Sequence, residues 1–183
     1  MTAHYGNWEW TSGLGLHLPT DKTFYGVYKK LSNKHFDRLM KSVRTRFGGG
    51  SIEAQDVFKT MLKMKNNGIL GAFTMVADQR PAGHSTRHWM TFLNQDTSVM
   101  IGTEQLAKKF DYPLVLMNVI RLKRGYYSCG FEMIEANPKQ TENYEVTEKF
   151  MHMLEEKINK NPEYWLWTHN RWRHKRPVEK IQD

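Results

Sequence analysis

An amphipathic helical repeat that runs straight into a short apolar stretch constrains this chain more than any other feature. After Ser51, read as an N-cap, Ala54, Val57, Phe58, Met61 and Leu62 recur at helical spacing until Gly68 ends the pattern. Residues 69–76 follow directly as an apolar run, and a helix feeding a buried strand is the order found in α/β folds. Asp78 then falls at the carboxyl end of that strand, the place where open α/β sheets bind ligands. An earlier stripe of Phe36, Leu39, Met40, Val43 and Phe47 predicts another helix, between Ser32–Asn33 and the glycines at 48–50.

Residues 79–87 mix Pro81, Gly83 and polar side chains and read as a loop, and residues 103–110 suit one small helix. Two runs rich in aliphatic and aromatic residues, 114–122 and 126–134, flank Lys123-Arg124-Gly125 and predict a hairpin. Val146, Phe150, Met151, Leu154 and Ile158 form a last helical stripe, with Glu142 and Glu145 suited to its amino-terminal dipole. The expected architecture is a single α/β domain over residues 1–177, a mixed sheet flanked by helices, followed by a basic and polar tail at 178–183. The approach to that tail, with Arg171, Arg173, Lys175 and Arg176, reads as a basic terminus.

At 183 residues, or about 1.2 average domains, the chain has room for one core and little more. Its 27 basic against 19 acidic residues give a formal charge of +8, which suits an anionic partner without choosing among nucleic acid, membrane surface and phosphorylated substrate. The single cysteine, Cys129, excludes an internal disulfide and a multi-thiolate metal site, and its position in a predicted strand suggests a buried, inert thiol. The longest nearly apolar stretch, residues 68–77, falls well short of the roughly 20 needed to span a bilayer, and the amino terminus lacks signal-peptide character. His84 and His88 are four apart but sit in or beside a Pro/Gly loop where helical spacing has no force, so no metal is expected. Trp165, Trp167 and Trp172 beside basic residues could stack bases. No recognition-helix or RNP-type pattern accompanies them, and aromatics among cations equally suit a membrane interface, so nucleic acid is not the expected partner.

The chemistry concentrates in His4-Tyr5-Gly6-Asn7-Trp8-Glu9. Five residues of continuous helix would leave His4 and Glu9 about 140° apart, so a Gly-Asn turn has to bring them together. With Asn7 capping a helix that starts at Trp8, Glu9 lies in its first turn while His4 returns from the preceding loop. A carboxylate on one ring nitrogen fixes the tautomer and raises the basicity of the other, which is what a general base for a hydroxyl requires. Helix-terminal N–H groups nearby could steady an oxyanion.

This stretch resembles the H-x4-(D/E) motif of acyl-CoA and acyl-carrier-protein acyltransferases, in the HxGNWE form of the lipid A late acyltransferases; His4, Gly6, Asn7, Trp8 and Glu9 all match. Val27-Tyr28-Lys29, Arg44-Thr45-Arg46-Phe47-Gly48 and Ala77-Asp78-Gln79 resemble further family segments, as does the closing Pro162-Glu163-Tyr164-Trp165-Leu166-Trp167 with His169, Arg171 and Arg176-Pro177. The resemblance implies a glycerolipid-acyltransferase-like fold and transfer of a fatty acyl chain from acyl carrier protein, or acyl-CoA as co-substrate, to a hydroxyl of an anionic lipid A precursor. The place would be the cytoplasmic face of the inner membrane, with no cofactor or metal. By resemblance His4 is the base and Glu9 its orienting acid, while Asn7, Arg44, Arg46 and Asp78 contact the acceptor, the two arginines as forks for phosphate. Another membrane lipid, a lysophospholipid or aminolipid, would need the same base chemistry. Relatives carry an anchoring segment before the histidine motif, so the chain is expected to be an amino-terminally incomplete member, attached to the membrane peripherally or through that segment.

Overall fold

The computed structural model describes residues 1–18, 23–83 and 86–177; His84 and the tail at 178–183 lie outside them. Strands β1 (Thr23–Tyr28), β2 (Gly50–Glu53) and β3 (Gly71–Thr74) pair in parallel in the order β2-β1-β3. Parallel neighbours need crossovers, which α1 (Lys34–Thr45) and α2 (Val57–Asn66) supply. The Asn33 side chain accepts the N–H groups of His35 and Phe36 and so sets the start of α1, as the sequence suggests. Ser51, by contrast, is not a helix cap. It pairs with Gly26 in β2, and the helix begins only at Val57, because the backbone of residues 50–53 is spent on the β1 ladder.

Beyond β3 the sheet is continued by the start of the chain. The Thr2 N–H donates to Met75 O (3.0 Å) and the Ala77 N–H to Thr2 O (3.1 Å). On the other side the Met1 nitrogen donates to Val115 O (2.6 Å) and the Met117 N–H to Met1 O (2.8 Å). Residues 1–3 therefore lie between the extension of β3 and β6 (Leu114–Lys123), and β6 turns at Gly125 into antiparallel β7 (Tyr126–Glu135). Parallel and antiparallel sheets are thus both present, as expected, and residues 1–3 bond to the backbone of each. A second hairpin, β4 (His88–Phe92) and β5 (Gln95–Val99), is not announced by the sequence; its turn places Leu93 and Asn94 at positive φ, and β5 is largely polar.

The short α3 (Gly102–Phe110) and the long α4 (Glu145–Lys160) complete the fold. The predicted stripe of α4, from Val146 to Ile158, is fully buried against Phe92, Val99, Leu116, Ile134 and Trp165 in the larger core. A smaller core joins Ile52, Val57, Met61 and Phe110. Cys129 is exposed rather than buried, because β7 along most of its length faces solvent. Partial desolvation still holds its thiol above the ordinary value, which suits an inert group.

Candidate active site

The two ends of the sequence meet to form the site. The Leu166 N–H donates to His4 O (3.0 Å), the Gly6 N–H donates to Tyr164 O (2.8 Å), and the Tyr5 hydroxyl donates to the carbonyls of Lys157 (3.0 Å) and Asn161 (3.3 Å) at the end of α4. The Pro162 to Trp167 segment is thereby a clamp on the His4 segment. Gly6 then turns the chain with φ of +60°, where a Cβ would lie 2.5 Å from Val119 O, so only glycine fits. After it comes a 3-10 helix, Trp8–Leu16, in place of the expected α-helix; Asn7 stands at its cap position without a side-chain cap bond, and its carbonyl accepts the Trp10 N–H (3.1 Å). Gly15 lets this helix lie against the end of α1, since a Cβ there would meet Phe47 O at 2.3 Å.

His4 is paired, but with a different acid from the one its spacing suggests. Its Nδ1–H donates to Asp78 Oδ1 at 2.8 Å, and the second Asp78 oxygen accepts the Trp165 indole N–H at 3.0 Å. The Gln79 amide donates to His4 Nε2 (3.3 Å), and Trp8 packs its ring edge to face with the imidazole at 5.1 Å. Asp78 is 1% exposed. Burial works to raise its pKa, yet the hydrogen bond and charge of His4 and the indole bond of Trp165 outweigh it, and the group is held below the usual carboxylate value. An ionised carboxylate only accepts, so Nδ1 carries a ring proton, and whenever the ring is neutral Nε2 keeps its lone pair.

Glu9 and Arg44 form a separate unit. Arg44 Nε donates to Oε2 (3.0 Å) and an Arg44 NH2 nitrogen donates to Oε1 (2.6 Å), a two-point fork that raises the guanidinium pKa. This corrects two expectations: Glu9 does not hold the His4 ring, and the Arg44 fork is occupied by a carboxylate instead of standing open for phosphate. The cause is topological. The 3-10 helix carries Glu9 toward α1, while the end of β3 brings Asp78 beneath His4. Arg46 is exposed, 5.9 Å from the Phe47 ring centroid, and makes no ion pair with either unit among the described residues.

Around Asp78 lies a cationic group that the sequence reading missed. Arg80 N–H donates to His169 Nε2 (3.4 Å), and the Arg80 guanidinium donates to Asn170 O (2.6 Å). Burial, then the charges of Arg80 and Arg171, lower the His169 pKa. Arg171 is 2% exposed, although it stands in the basic terminus, and among the described residues none of its three guanidinium nitrogens has a hydrogen-bond partner. Burial pushes its pKa down to about 10, with the Asp78 carboxylate working against that fall and Arg80 adding to it. The advance signal was the place of His169 and Arg171 in the closing motif.

His88 is committed elsewhere, to Glu148 at 2.7 Å and to the Tyr144 ring stacked at 4.1 Å. Among the described residues no cluster of three histidine, cysteine or acidic side chains could hold a metal ion, and no helix is long and apolar enough to cross a membrane. Compared with known families, residues 1–174 match the model described as bacterial lipid A biosynthesis acyltransferase. No curated protein matches the chain.

Proposed function

The chain belongs to the bacterial lipid A biosynthesis acyltransferase family, and from that premise we propose that it moves a fatty acyl group from a thioester donor, acyl carrier protein, to a hydroxyl of a lipid A precursor, with His4 as general base and Asp78 as its partner. The observation that carries this reading is the 2.8 Å bond from His4 Nδ1 to a buried, ionised carboxylate, which leaves Nε2 as the proton acceptor. The acceptor hydroxyl displaces the Gln79 amide from Nε2 and gives up its proton there while its oxygen attacks the thioester carbonyl. The tetrahedral oxyanion then collapses, the C–S bond breaks, and the imidazolium returns the proton to the leaving thiolate. An ester and a free carrier thiol result, with no covalent enzyme intermediate and no metal or cofactor. Asp78 offsets the imidazolium charge during the attack, and N–H groups at the start of the 3-10 helix would donate to the developing oxyanion.

In this reading Glu9 works through Arg44: the fork ties the 3-10 helix to α1 and shapes the acceptor side of the site. The acceptor's anionic groups meet Arg46 and the cations beside it, and the reaction takes place at the cytoplasmic face of the inner membrane. The test is transfer from labelled acyl carrier protein to a lipid A precursor in detergent. The wild-type chain transfers the label, and His4→Ala lowers the rate by about 10²-fold or more. Equal transfer by both proteins would overturn the reading.

A further inference from the structure

Helix α1 breaks the habit of amphipathic helices, which turn their apolar stripe inward. Phe36, Leu39, Met40 and Val43, with Phe47 a turn further on, share one face by their spacing. Yet no residue of α1 is buried, and Phe36, Leu39 and Val43 are 52%, 56% and 48% exposed. The comparable stripe of α2 buries Val57, Met61 and Met64. Exposure of this kind marks an interaction surface.

Charge decides what covers it. Between Lys29 and Arg46 the chain carries seven cations and one acid, Asp37, which is occupied in accepting the Leu31 N–H. Lys30 and Arg44 pair with Glu53 and Glu9, which leaves Lys29, Lys34, Arg38, Lys41 and Arg46 exposed and without an ion-pair partner among the described residues. An apolar stripe on a helix with a basic polar face matches an anionic lipid interface, where the stripe enters the headgroup boundary and the cations meet acidic headgroups. The neighbouring 3-10 helix adds exposed Trp10, packed on Tyr127 at 4.6 Å, and exposed Leu16.

We propose that α1 docks flat into an anionic bilayer surface and, through the Arg44–Glu9 fork, fixes the 3-10 helix that begins beside His4 at the level of the lipid headgroups. The proposal rests on the reading that the acceptor is a membrane lipid. Docking then replaces free diffusion of a water-insoluble acceptor by lateral delivery to the site.

The experiment compares the full chain with Leu39→Glu/Val43→Glu, both changes being at exposed positions, by cosedimentation with vesicles of phosphatidylcholine alone and with phosphatidylglycerol added. The wild type binds the anionic vesicles and releases them in high salt, and the variant binds at least about tenfold more weakly. Transfer to acceptor embedded in those vesicles falls in parallel, while transfer to a short-chain, water-soluble acceptor is unchanged. Equal vesicle binding by both proteins overturns the proposal. So does a wild-type dimer in sedimentation equilibrium that the variant abolishes, since a second copy would then cover the stripe. If vesicle binding changes as described but neither protein transfers acyl groups to any acceptor, docking stands and the proposed function fails.

Discussion

A carboxylate that is buried and still ionised has to be held by its neighbours, and Asp78 is held by His4 and Trp165. Its folded pKa lies below the free value of 3.8, so its contribution to stability is complete above that pH and is lost as the pH falls below it through the folded pKa. Asp78→Asn should flatten the acid limb of a stability-versus-pH curve below pH 4, as read by urea unfolding; an unchanged limb would mean that another group governs it. Arg171 is the opposite case, a buried charge whose nitrogens have no hydrogen-bond partner among the described residues. Fold stability alone would not select such a group, because an apolar side chain of similar length avoids the cost of desolvating an ion. Arg171→Met is therefore expected to unfold at higher temperature, by the equivalent of about 1 kcal/mol or more, and to transfer acyl groups more slowly. A variant that melts lower would assign the residue to packing.

At the scale of elements, the turn at Gly6 joins a clamped extended segment to a 3-10 helix with no room for a side chain. Gly6→Ala combines a left-handed backbone with a clash against the Val119 carbonyl, and a loss of about 2 kcal/mol or more is expected in chemical denaturation. The fork between Glu9 and Arg44 joins two helices at a half-exposed position, so Glu9→Gln should cost only about 1 kcal/mol of stability. Its kinetic effect should be smaller than that of Asp78→Asn, because Glu9 reaches the site through a helix and Asp78 touches the base itself. An Asp78→Asn enzyme faster than Glu9→Gln would reverse these roles.

For the whole molecule, local patterns carried the fold well. The stripes of α1, α2 and α4, the hairpin of β6 and β7, and the strand ahead of Asp78 are all written in residues a few positions apart. The helix start at Ser51 and the β4 and β5 hairpin were not legible: strand pairing decides the first, and in the second a Leu-Asn turn leads into a strand that opens Gln95-Asp96-Thr97-Ser98, with no apolar alternation to mark it. The site divides in the same way. His4, Glu9, Arg44 and Asp78 could each be singled out, but their partners could not, because His4 and Asp78 are 74 positions apart and Trp165 is 87 beyond Asp78. Spacing relates neighbours along the chain, and here the sheet brings the acid to the base. The fate of Arg171 was hidden for a like reason, since a run of basic residues at the end of a chain looks solvated whether or not it folds back.

The central claim is that Asp78, and not Glu9, sets the tautomer of His4. Long-range nitrogen–proton correlation spectra of the His4 ring test it directly, in the wild type, Asp78→Asn and Glu9→Gln near neutral pH. For the neutral form of the ring, the account predicts protonation at Nδ1 in the wild type and in Glu9→Gln, and loss of that single tautomer in Asp78→Asn. A wild-type ring protonated at Nε2, or a tautomer that changes with Glu9→Gln and ignores Asp78→Asn, would contradict it.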